Sequence, residues 1–186
     1  MIRQAIPLDA EAVVPLMIQA MGELAEKFVN TKNTVEIHRL FKLFFELKNN
    51  QYSYQNTLVF LEDNEILGSL SAYDGSKLTE LRKPFLAYLK ENLLYNLNLE
   101  EETEAGEFYF DTISVNPKAQ GKGIGKALIE AGIQWARQLG HRQIGLLVEQ
   151  ENTKAKLLYE KIGFKYSNDK IFLGSTYFHL IYDLAE

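Results

Sequence analysis

The chain has 186 residues, of which 46% are apolar and 24% charged, and its formal net charge is −5. These values are typical of a soluble α/β domain with a substantial core. The negative charge gives no general attraction to nucleic acid or to an anionic membrane. The chain has no cysteine, which excludes disulfides and thiolate chemistry. No apolar run approaches the roughly 20 residues of a membrane span. Because residues 1–10 also lack a signal-peptide pattern, we expect a cytoplasmic protein.

The first part of the chain is predicted to form a strand, two helices and a hairpin. The short strand covers residues 2–5, and Pro15 lies inside the apolar pattern of the first helix, which predicts a kink or a late start. Asn33, with Glu36 three residues later, resembles a capping box at the start of the second helix. Two strands joined by a polar turn then follow, and their composition predicts an antiparallel hairpin. The hairpin strands are predicted at residues 57–61 and 66–73.

The segment after the hairpin is predicted to be an insertion. Pro84 has the position of a first helical residue, which predicts a helix over residues 84–95. An acidic tract follows, at Glu100, Glu101, Glu102 and Glu104. Such a run of charges is typical of a solvated loop. No repeat or linker indicates a second domain, so we expect a single domain over residues 1–186 with a helical insertion at about 76–106.

The second half of the chain alternates strands and helices. A strand over residues 108–115 leads through a glycine-rich loop to a helix that Gly140 ends. A buried strand and a helix ended by Gly163 come next. The closing strands are predicted at residues 164–166, 171–173 and 178–184. This order of elements predicts an α/β fold of the α+β type, with a mixed sheet rather than an all-parallel one.

The glycine-rich loop and the helix start behind it have the features of a phosphate site. Gly121, Gly123 and Gly125 place no side chain where backbone N–H groups could close on a ligand. The helix that follows adds unpaired N–H groups and the positive end of its dipole. The loop is therefore predicted to hold a phosphate group.

Two common phosphate loops do not fit this segment. A Walker A loop requires a first glycine and a hydroxyl for magnesium, and Gln120 and Ala127 occupy those two positions here. A dinucleotide-binding loop requires a third glycine, where this chain has Lys126 in one register and Leu128 in the other. The sequence thus predicts neither an NTPase nor a nicotinamide-dependent enzyme.

The pattern Gln120-x-x-Gly123-x-Gly125 resembles the acyl-CoA signature of the GNAT superfamily of N-acyltransferases, written Q/R-x-x-G-x-G/A. Residues 152–164 resemble a second family segment, N-x-x-A-x-x-L-Y-x-x-x-G-F, which lies about 30 residues further along with a strand between. The resemblance is specific over residues 108–164 and architectural elsewhere. It implies the GNAT fold, in which a mixed, mostly antiparallel sheet is splayed at the acyl-CoA strand and flanked by helices.

The resemblance also implies that acetyl-CoA is the co-substrate and that no metal is needed to hold it. The residues that would hold its pyrophosphate are Gln120, Gly121, Lys122, Gly123, Gly125 and Lys126. For the two lysines, a solvated helix start is the alternative. Backbone groups of Ile113 and Val115 would bind the pantetheine arm, and Val115 would also donate to the thioester oxygen. Asn152 would contact the arm, cap the helix that follows, or do both.

Acetyl transfer requires a neutral amine, a polarised thioester carbonyl and a proton for the leaving thiolate. Tyr159 matches the family tyrosine that can protonate the CoA sulfur, with a packed aromatic as the alternative. Asp111 is predicted to be the general base because it lies on an otherwise apolar strand, where strand alternation gives it the face of Ile113 and Val115. Glu107 and a water molecule are the alternatives for this base.

Together these residues predict an N-acetyltransferase in which a primary amine of a small molecule or peptide attacks acetyl-CoA directly. The alternative is a non-catalytic acyl-CoA-binding sensor or scaffold. We expect the acceptor site to be walled by the helices over residues 33–48 and 84–95, with nearby tyrosines. These tyrosines are Tyr52, Tyr54, Tyr73 and Tyr88. The apolar run at residues 177–182 would allow a homodimer, and neither nucleic acid nor a membrane is an expected partner.

Overall fold

In the computed structural model, which describes residues 1–185, seven strands form one sheet in the order β1-β2-β3-β4-β5-β7-β6. The strands are β1 (Ile2–Gln4), β2 (Thr57–Glu62), β3 (Glu65–Asp74), β4 (Glu107–Val115), β5 (Gln143–Glu149), β6 (Lys165–Phe172) and β7 (Ser175–Asp183). Only β4 and β5 pair in parallel, and every other neighbouring pair is antiparallel. The predicted mixed, mostly antiparallel sheet is therefore confirmed.

Helices cover both faces of this sheet. They are α1 (Ala10–Met21), α2 (Glu23–Val29), α3 (Thr34–Glu46), α4 (Leu78–Asn92), α5 (Ile124–Gln138) and α6 (Thr153–Ile162). The first four pack on one face around an aromatic core, in which Phe41 and Phe44 of α3 contact Phe85 of α4. The last two pack on the other face. Within the described residues, no helix is long and apolar enough to cross a membrane.

The predicted helix boundaries are right at some positions and wrong at others. The Asn33 side chain accepts hydrogen bonds from the backbone of Val35 and Glu36, which confirms it as the cap of α3. The helix predicted from Pro84 instead begins at Leu78, and Pro84 lies inside it. An interior proline removes one helical hydrogen bond without preventing the helix when side-chain packing holds it.

Two further elements differ from the sequence predictions. The apolar pattern of the first helix continues past residue 21, but Gly22 has a φ of +55° and separates α2 from α1. The strands predicted at residues 164–166 and 171–173 form one continuous strand, β6. Its polar centre is an edge segment that pairs only with β7, so it carries few of the apolar residues that identify a buried strand.

Strands β4 and β5 separate halfway along their length. Their pairing extends from Glu107 with Gln143 to Phe110 with Leu146. Beyond that point β4 continues beside β3, while β5 continues beside β7. The far half of β4 therefore has a free edge facing a gap in the sheet, and the predicted splay is confirmed.

Asp111 is the extra residue of a β-bulge in β4. Ser71 of β3 pairs with Thr112, whereas the next residue, Ala72, pairs with Phe110. Asp111 thus has no partner in the ladder on that side. A bulge of this kind bends the strand and redirects the side chains on either side of it.

The bulge changes which side chains share a face of β4. Phe110 before it and Ile113 after it both pack against the core beneath α5, although they are three positions apart. Ser114 points to the opposite face, where Gln19 of α1 donates a 2.8 Å hydrogen bond to its hydroxyl. The prediction that Asp111 shares a face with Ile113 by simple alternation is therefore wrong, because the bulge shifts the alternation by one residue.

Candidate active site

A cavity of about 580 Å³ occupies the gap between β4 and β5. Its walls come from α1, α2, β4, the glycine loop, the start of α5, β5, α6 and single residues of β6 and β7. The part away from the glycine loop combines apolar or aromatic residues with two carboxylates, and we call it the inner chamber. Its residues are Leu24, Phe28, Glu102, Tyr109, Asp111, Phe172 and Tyr177.

The glycine loop presents open backbone to this cavity. Gly121 and Gly123 both have a φ of +81°, a conformation that favours glycine, and no atom lies within 4 Å of a Cβ placed on either. Helix α5 begins directly after Gly123 without a side-chain cap. Gln120 ties the loop to β4 because its side-chain amide donates to the Val115 carbonyl at 3.3 Å. Uncapped N–H groups beside an open loop form a site suited to an anion.

All but one of the predicted cofactor residues line the cavity. They are Ile113, Val115, Gln120, Gly121, Gly123, Gly125, Lys126 and Asn152. Lys122 is the exception: its ammonium lies 4.0 Å from Glu62 on the surface, so the structure does not bring it to the cavity. A second lysine that the sequence did not indicate, Lys154 in the first turn of α6, lines the cavity instead.

The free edge of β4 presents the backbone of two predicted residues. Asn116 donates to the carbonyl of Leu67 at 2.8 Å, which fixes the alternation of hydrogen-bonded pairs between β3 and β4. Ser114 belongs to the next hydrogen-bonded pair, so the backbone groups of Ile113 and Val115 point away from β3 and into the gap. The carbonyl of Val115 already accepts from the side chains of Gln19, at 3.1 Å, and Gln120, whereas its N–H has no such partner in the described part of the chain. An extended ligand with amide groups could pair with this edge as a strand does.

Helix α6 contributes Asn152 and Tyr159 to the cavity. The Asn152 side-chain oxygen caps the helix by accepting from Ala155 at 3.2 Å, which leaves its NH₂ group for a ligand. The ring of Tyr159 packs against Phe164, and its hydroxyl has no hydrogen-bond partner within residues 1–185. Burial raises the pKa of Tyr159 to about 12. The hydroxyl therefore stays protonated at neutral pH and can act as a proton donor.

Asp111 points its carboxylate into the inner chamber, where its hydrogen-bond partner is the Gln51 side-chain amide at 3.4 Å. Burial and then the charge of Glu102 raise the pKa of Asp111 to about 8, against the weaker effects of Gln51 and Arg82. A carboxyl group with this pKa can exchange protons near neutral pH. It has the chemistry required of a general base.

Glu102 corrects the prediction of a solvated acidic tract. Its side chain is only 8% exposed and forms a 2.6 Å ion pair with Arg82 of α4. Arg82 lies on the buried stripe of α4 with Phe85 and Leu89. A charge on such a stripe indicates a buried partner, and this was the signal in the sequence that could have revealed the pair. Gln51, from the turn before β2, gives no comparable signal.

Glu107, the alternative base, lies outside the cavity lining. Its carboxylate is buried, accepts a 2.6 Å hydrogen bond from the Glu104 backbone and lies 3.0 Å from Nε2 of the buried His179. Gly145 provides the room for this carboxylate, because a Cβ there would lie 2.7 Å from Oε1 of Glu107 and closer still to Oε2. The structure therefore gives Glu107 a structural partner and leaves Asp111 facing the cavity.

Replacing Gly145 by Ala should displace the Glu107 carboxylate from His179. We expect a loss of about 2–4 kcal/mol in the free energy of unfolding, from overpacking and a broken buried contact. Chemical denaturation would measure this loss. Gly125→Ala is the matched control, since its Cβ would meet Val115 at an ordinary 3.7 Å. Equal stability of the two variants would mean that Glu107 can leave His179 without cost.

The helices expected to wall the acceptor site do not line this cavity. No residue of α3 or α4 lines the cavity, and its walls on that side are α1 and α2. Tyr52 and Tyr73 are buried, and Tyr88 and Tyr54 lie outside the lining. Among residues 1–185, no group of three or more His, Asp or Glu side chains is placed to hold a metal ion.

The comparison with protein families agrees with this geometry. The model of the acetyltransferase (GNAT) family matches residues 21–164. The chain belongs to this family. A solved structure described as an acetyltransferase is 28% identical, has a TM-score of 0.84 and covers 99% of both chains. The GNAT fold predicted for the chain is therefore confirmed.

Two named relatives differ in how much of this chain they match. The spermine/spermidine N(1)-acetyltransferase of Bacillus subtilis is 28% identical over 154 residues, which cover 78% of this chain and 93% of that protein. The mycothiol acetyltransferase of Geodermatophilus obscurus is 48% identical over 59 residues, or 32% of this chain and 18% of that protein. The match thus spans less than a fifth of the latter protein.

Proposed function

We propose that the protein is an N-acetyltransferase that transfers the acetyl group of acetyl-CoA to a primary amine. The observation that carries this proposal is the meeting, in one cavity, of an open glycine loop, the free edge of β4, Tyr159 and Asp111. In this proposal attack is direct, in a complex that holds both substrates, and the chain has no cysteine that could form an acyl-enzyme instead.

Acetyl-CoA would lie along the cavity from the loop to the inner chamber. The backbone N–H groups from Gly121 to Gly125 and the start of α5 would hold the pyrophosphate, with Lys126 and Lys154 adding positive charge. The pantetheine amides would pair with Ile113 and Val115, and the free NH₂ group of Asn152 would bind the same arm. This arrangement needs no metal ion.

The chemical step needs one proton acceptor and one proton donor. Asp111 takes a proton from the acceptor ammonium, and the neutral nitrogen attacks the thioester carbon. The N–H of Val115 stabilises the negative oxygen that forms. As the intermediate collapses, the C–S bond breaks and the thiolate takes a proton from Tyr159. The nitrogen loses its second proton as the amide forms, and this proton restores the Tyr159 hydroxyl through solvent. Asp111 releases the first proton to solvent, which leaves the acetylated amine, CoA and one proton.

The inner chamber favours a small cationic amine with an apolar portion. Its carboxylates attract an ammonium group, and Leu24, Phe28 and Phe172 provide apolar walls. The Bacillus subtilis relative is named for spermine and spermidine, which makes these polyamines the first acceptors to test. Because the mycothiol acetyltransferase match covers a small part of that protein, it carries less weight.

Release of free thiol from acetyl-CoA tests the proposal. The panel should contain spermidine, an arylalkyl primary amine and a peptide with a free amino terminus, each compared with its N-acetylated form as a non-reactive control. We expect amine-dependent thiol release with at least one primary amine. CoA binding by calorimetry without thiol release from any amine would instead support an acyl-CoA-binding sensor or scaffold.

Replacing Tyr159 by Phe should lower kcat by roughly 10–100-fold with little change in CoA affinity, since only the proton donor is removed. Steady-state kinetics and calorimetry would measure the two quantities. Tyr182→Phe is the matched control, because Tyr182 packs against the same Phe164 ring but lies outside the cavity lining. Full activity of the Tyr159 variant would contradict a proton-donor role.

A further inference from the structure

Two carboxylates meet in the inner chamber through one side-chain amide. The Gln51 nitrogen lies 3.4 Å from a carboxylate oxygen of Asp111 and 3.5 Å from one of Glu102. Gln51 is itself buried, and it also donates to the Tyr73 hydroxyl at 3.1 Å. The two acids thus both lie within reach of one shared donor.

The two carboxylates have unequal partners. Arg82 lies 2.6 Å from Glu102 and the Tyr109 hydroxyl donates to it at 3.2 Å, whereas Asp111 has only the long contact with Gln51. Two nearby carboxylates in a buried site do not both ionise readily, and the one beside a cation keeps the negative charge. Burial raises the pKa of Glu102 as well, but the charge and hydrogen bond of Arg82 and the Tyr109 hydroxyl oppose that rise, so the proton that the pair retains resides on Asp111.

We propose that Glu102 is a positioning residue, whose fixed negative charge beside Arg82 and whose contact with Gln51 make Asp111 an effective proton acceptor for the substrate amine. This inference rests on the proposed N-acetyltransferase function and assigns a role in it to a residue from the loop before β4. Glu102 itself has no step in the transfer, because both of its oxygens are engaged by other side chains.

The other groups around Asp111 do not supply a competing negative charge. Burial raises the pKa values of Tyr52, Tyr73 and Tyr109 well above 10, so all three are neutral. Arg82 is the nearby cation, and its attraction for Asp111 is outweighed by burial and by Glu102. Removal of the Glu102 charge would leave Arg82 unopposed, and Asp111 would then lose its proton more easily.

A higher proton affinity of Asp111 has a direct use in amine transfer. The amine arrives as an ammonium ion, and an ordinary aspartate with a pKa near 4 is a poor acceptor for its proton. A carboxylate with a pKa of about 8 is better matched to both the ammonium and neutral pH. Glu102 would thus set the strength of the base without touching the substrate.

Glu102→Gln tests this role, because glutamine keeps the shape of the side chain while removing its charge. The carboxyl ¹³C resonance of Asp111, assigned with Asp111→Asn, reports its titration without any need for activity. We expect the midpoint to fall by at least about one pH unit, a tenfold change in proton affinity. The acidic limb of the kcat/KM profile, where activity rises as the base loses its proton, should also move to lower pH, with a lower plateau because the base is weaker.

Glu104→Gln is the matched control, since Glu104 lies in the same loop but pairs with Lys170 and Asn168 away from the cavity. This variant should leave unchanged both the Asp111 titration midpoint and the midpoint of the corresponding limb of the kcat/KM profile. If Glu102→Gln alone fails to fold because Arg82 is left unpaired, the double variant Arg82→Met with Glu102→Gln removes both buried charges. Its midpoint should also be lower than that of the unmodified protein.

Two results would separate this inference from the proposed function. An unmoved Asp111 midpoint in folded Glu102→Gln overturns the positioning role, even if the variant loses activity at every pH. The absence of amine-dependent thiol release from the unmodified protein counts against the N-acetyltransferase function, whatever the midpoint does. A lowered Asp111 midpoint together with an acidic limb shifted to lower pH supports both.

Discussion

Gly123→Val is expected to lower the affinity for CoA by at least about 100-fold, or roughly 2.7 kcal/mol. Gly123 precedes the first turn of α5 with a φ of +81°, which a β-branched residue strongly resists. A Cβ at this position meets no protein atom within 4 Å, so the loss would arise from backbone strain and from a side chain in the path of the pyrophosphate. Isothermal calorimetry with CoA would measure it.

Gly140→Val provides the matched control for this loop substitution. Gly140 has a φ of +80° and equally open surroundings, but it follows the other end of α5, outside the cavity lining. Both variants should lose similar stability, and only Gly123→Val should lose CoA affinity. Normal CoA binding by Gly123→Val would contradict the placement of the pyrophosphate, as would equal losses in both variants.

Asp111→Asn should lower kcat/KM by roughly 10²–10⁴-fold, the range expected for loss of a general base. CoA affinity should stay within about twofold, because the backbone edge that would bind pantetheine is unchanged. Kinetics with the best acceptor of the amine panel would measure the effect. Near-normal kcat/KM in this variant would mean that Asp111 is not the base and that a water molecule accepts the proton.

The same variant should be more stable than the unmodified protein at alkaline pH. Burial and Glu102 raise the pKa of Asp111 to about 8, whereas an unfolded aspartate titrates near 4. The folded protein therefore holds this proton more tightly, and stability falls as the pH rises between these two values. Thermal melts should give Asp111→Asn a higher Tm at pH 8.5, with the difference vanishing below pH 4. A lower Tm at pH 8.5 would instead indicate a structural aspartate.

Local sequence patterns predicted the parts of the site that depend on backbone conformation. Glycines at positions 121 and 123 indicated an open loop, and both adopt a left-handed φ that other residues resist. Asn152 was predicted to contact the cofactor arm, to cap a helix, or to do both, and it caps α6 at the cavity wall. Such features depend on a few neighbouring residues, so the sequence carries them directly.

The parts that depend on distant contacts were not predictable in the same way. Glu102 lies in a run of acids, a composition typical of solvent exposure, and its burial depends on Arg82 twenty residues earlier. Lys126 lines the cavity and Lys122 does not, because they lie on different sides of the loop and helix start, and only one of these sides faces the gap. The bulge at Asp111 depends on the register between β3 and β4, which alternation within one strand does not specify.

The bulge at Asp111 also has a consequence for how this protein could change over time. A residue inside a regular ladder must satisfy a cross-strand neighbour, so its replacement disturbs the sheet. Asp111 has no such neighbour on β3 and can be exchanged while the pairs on both sides of it remain. The side chain at position 111 can therefore change without altering the pairing of β3 with β4. This makes position 111 a natural starting point for redesigning the reaction while the sheet is kept.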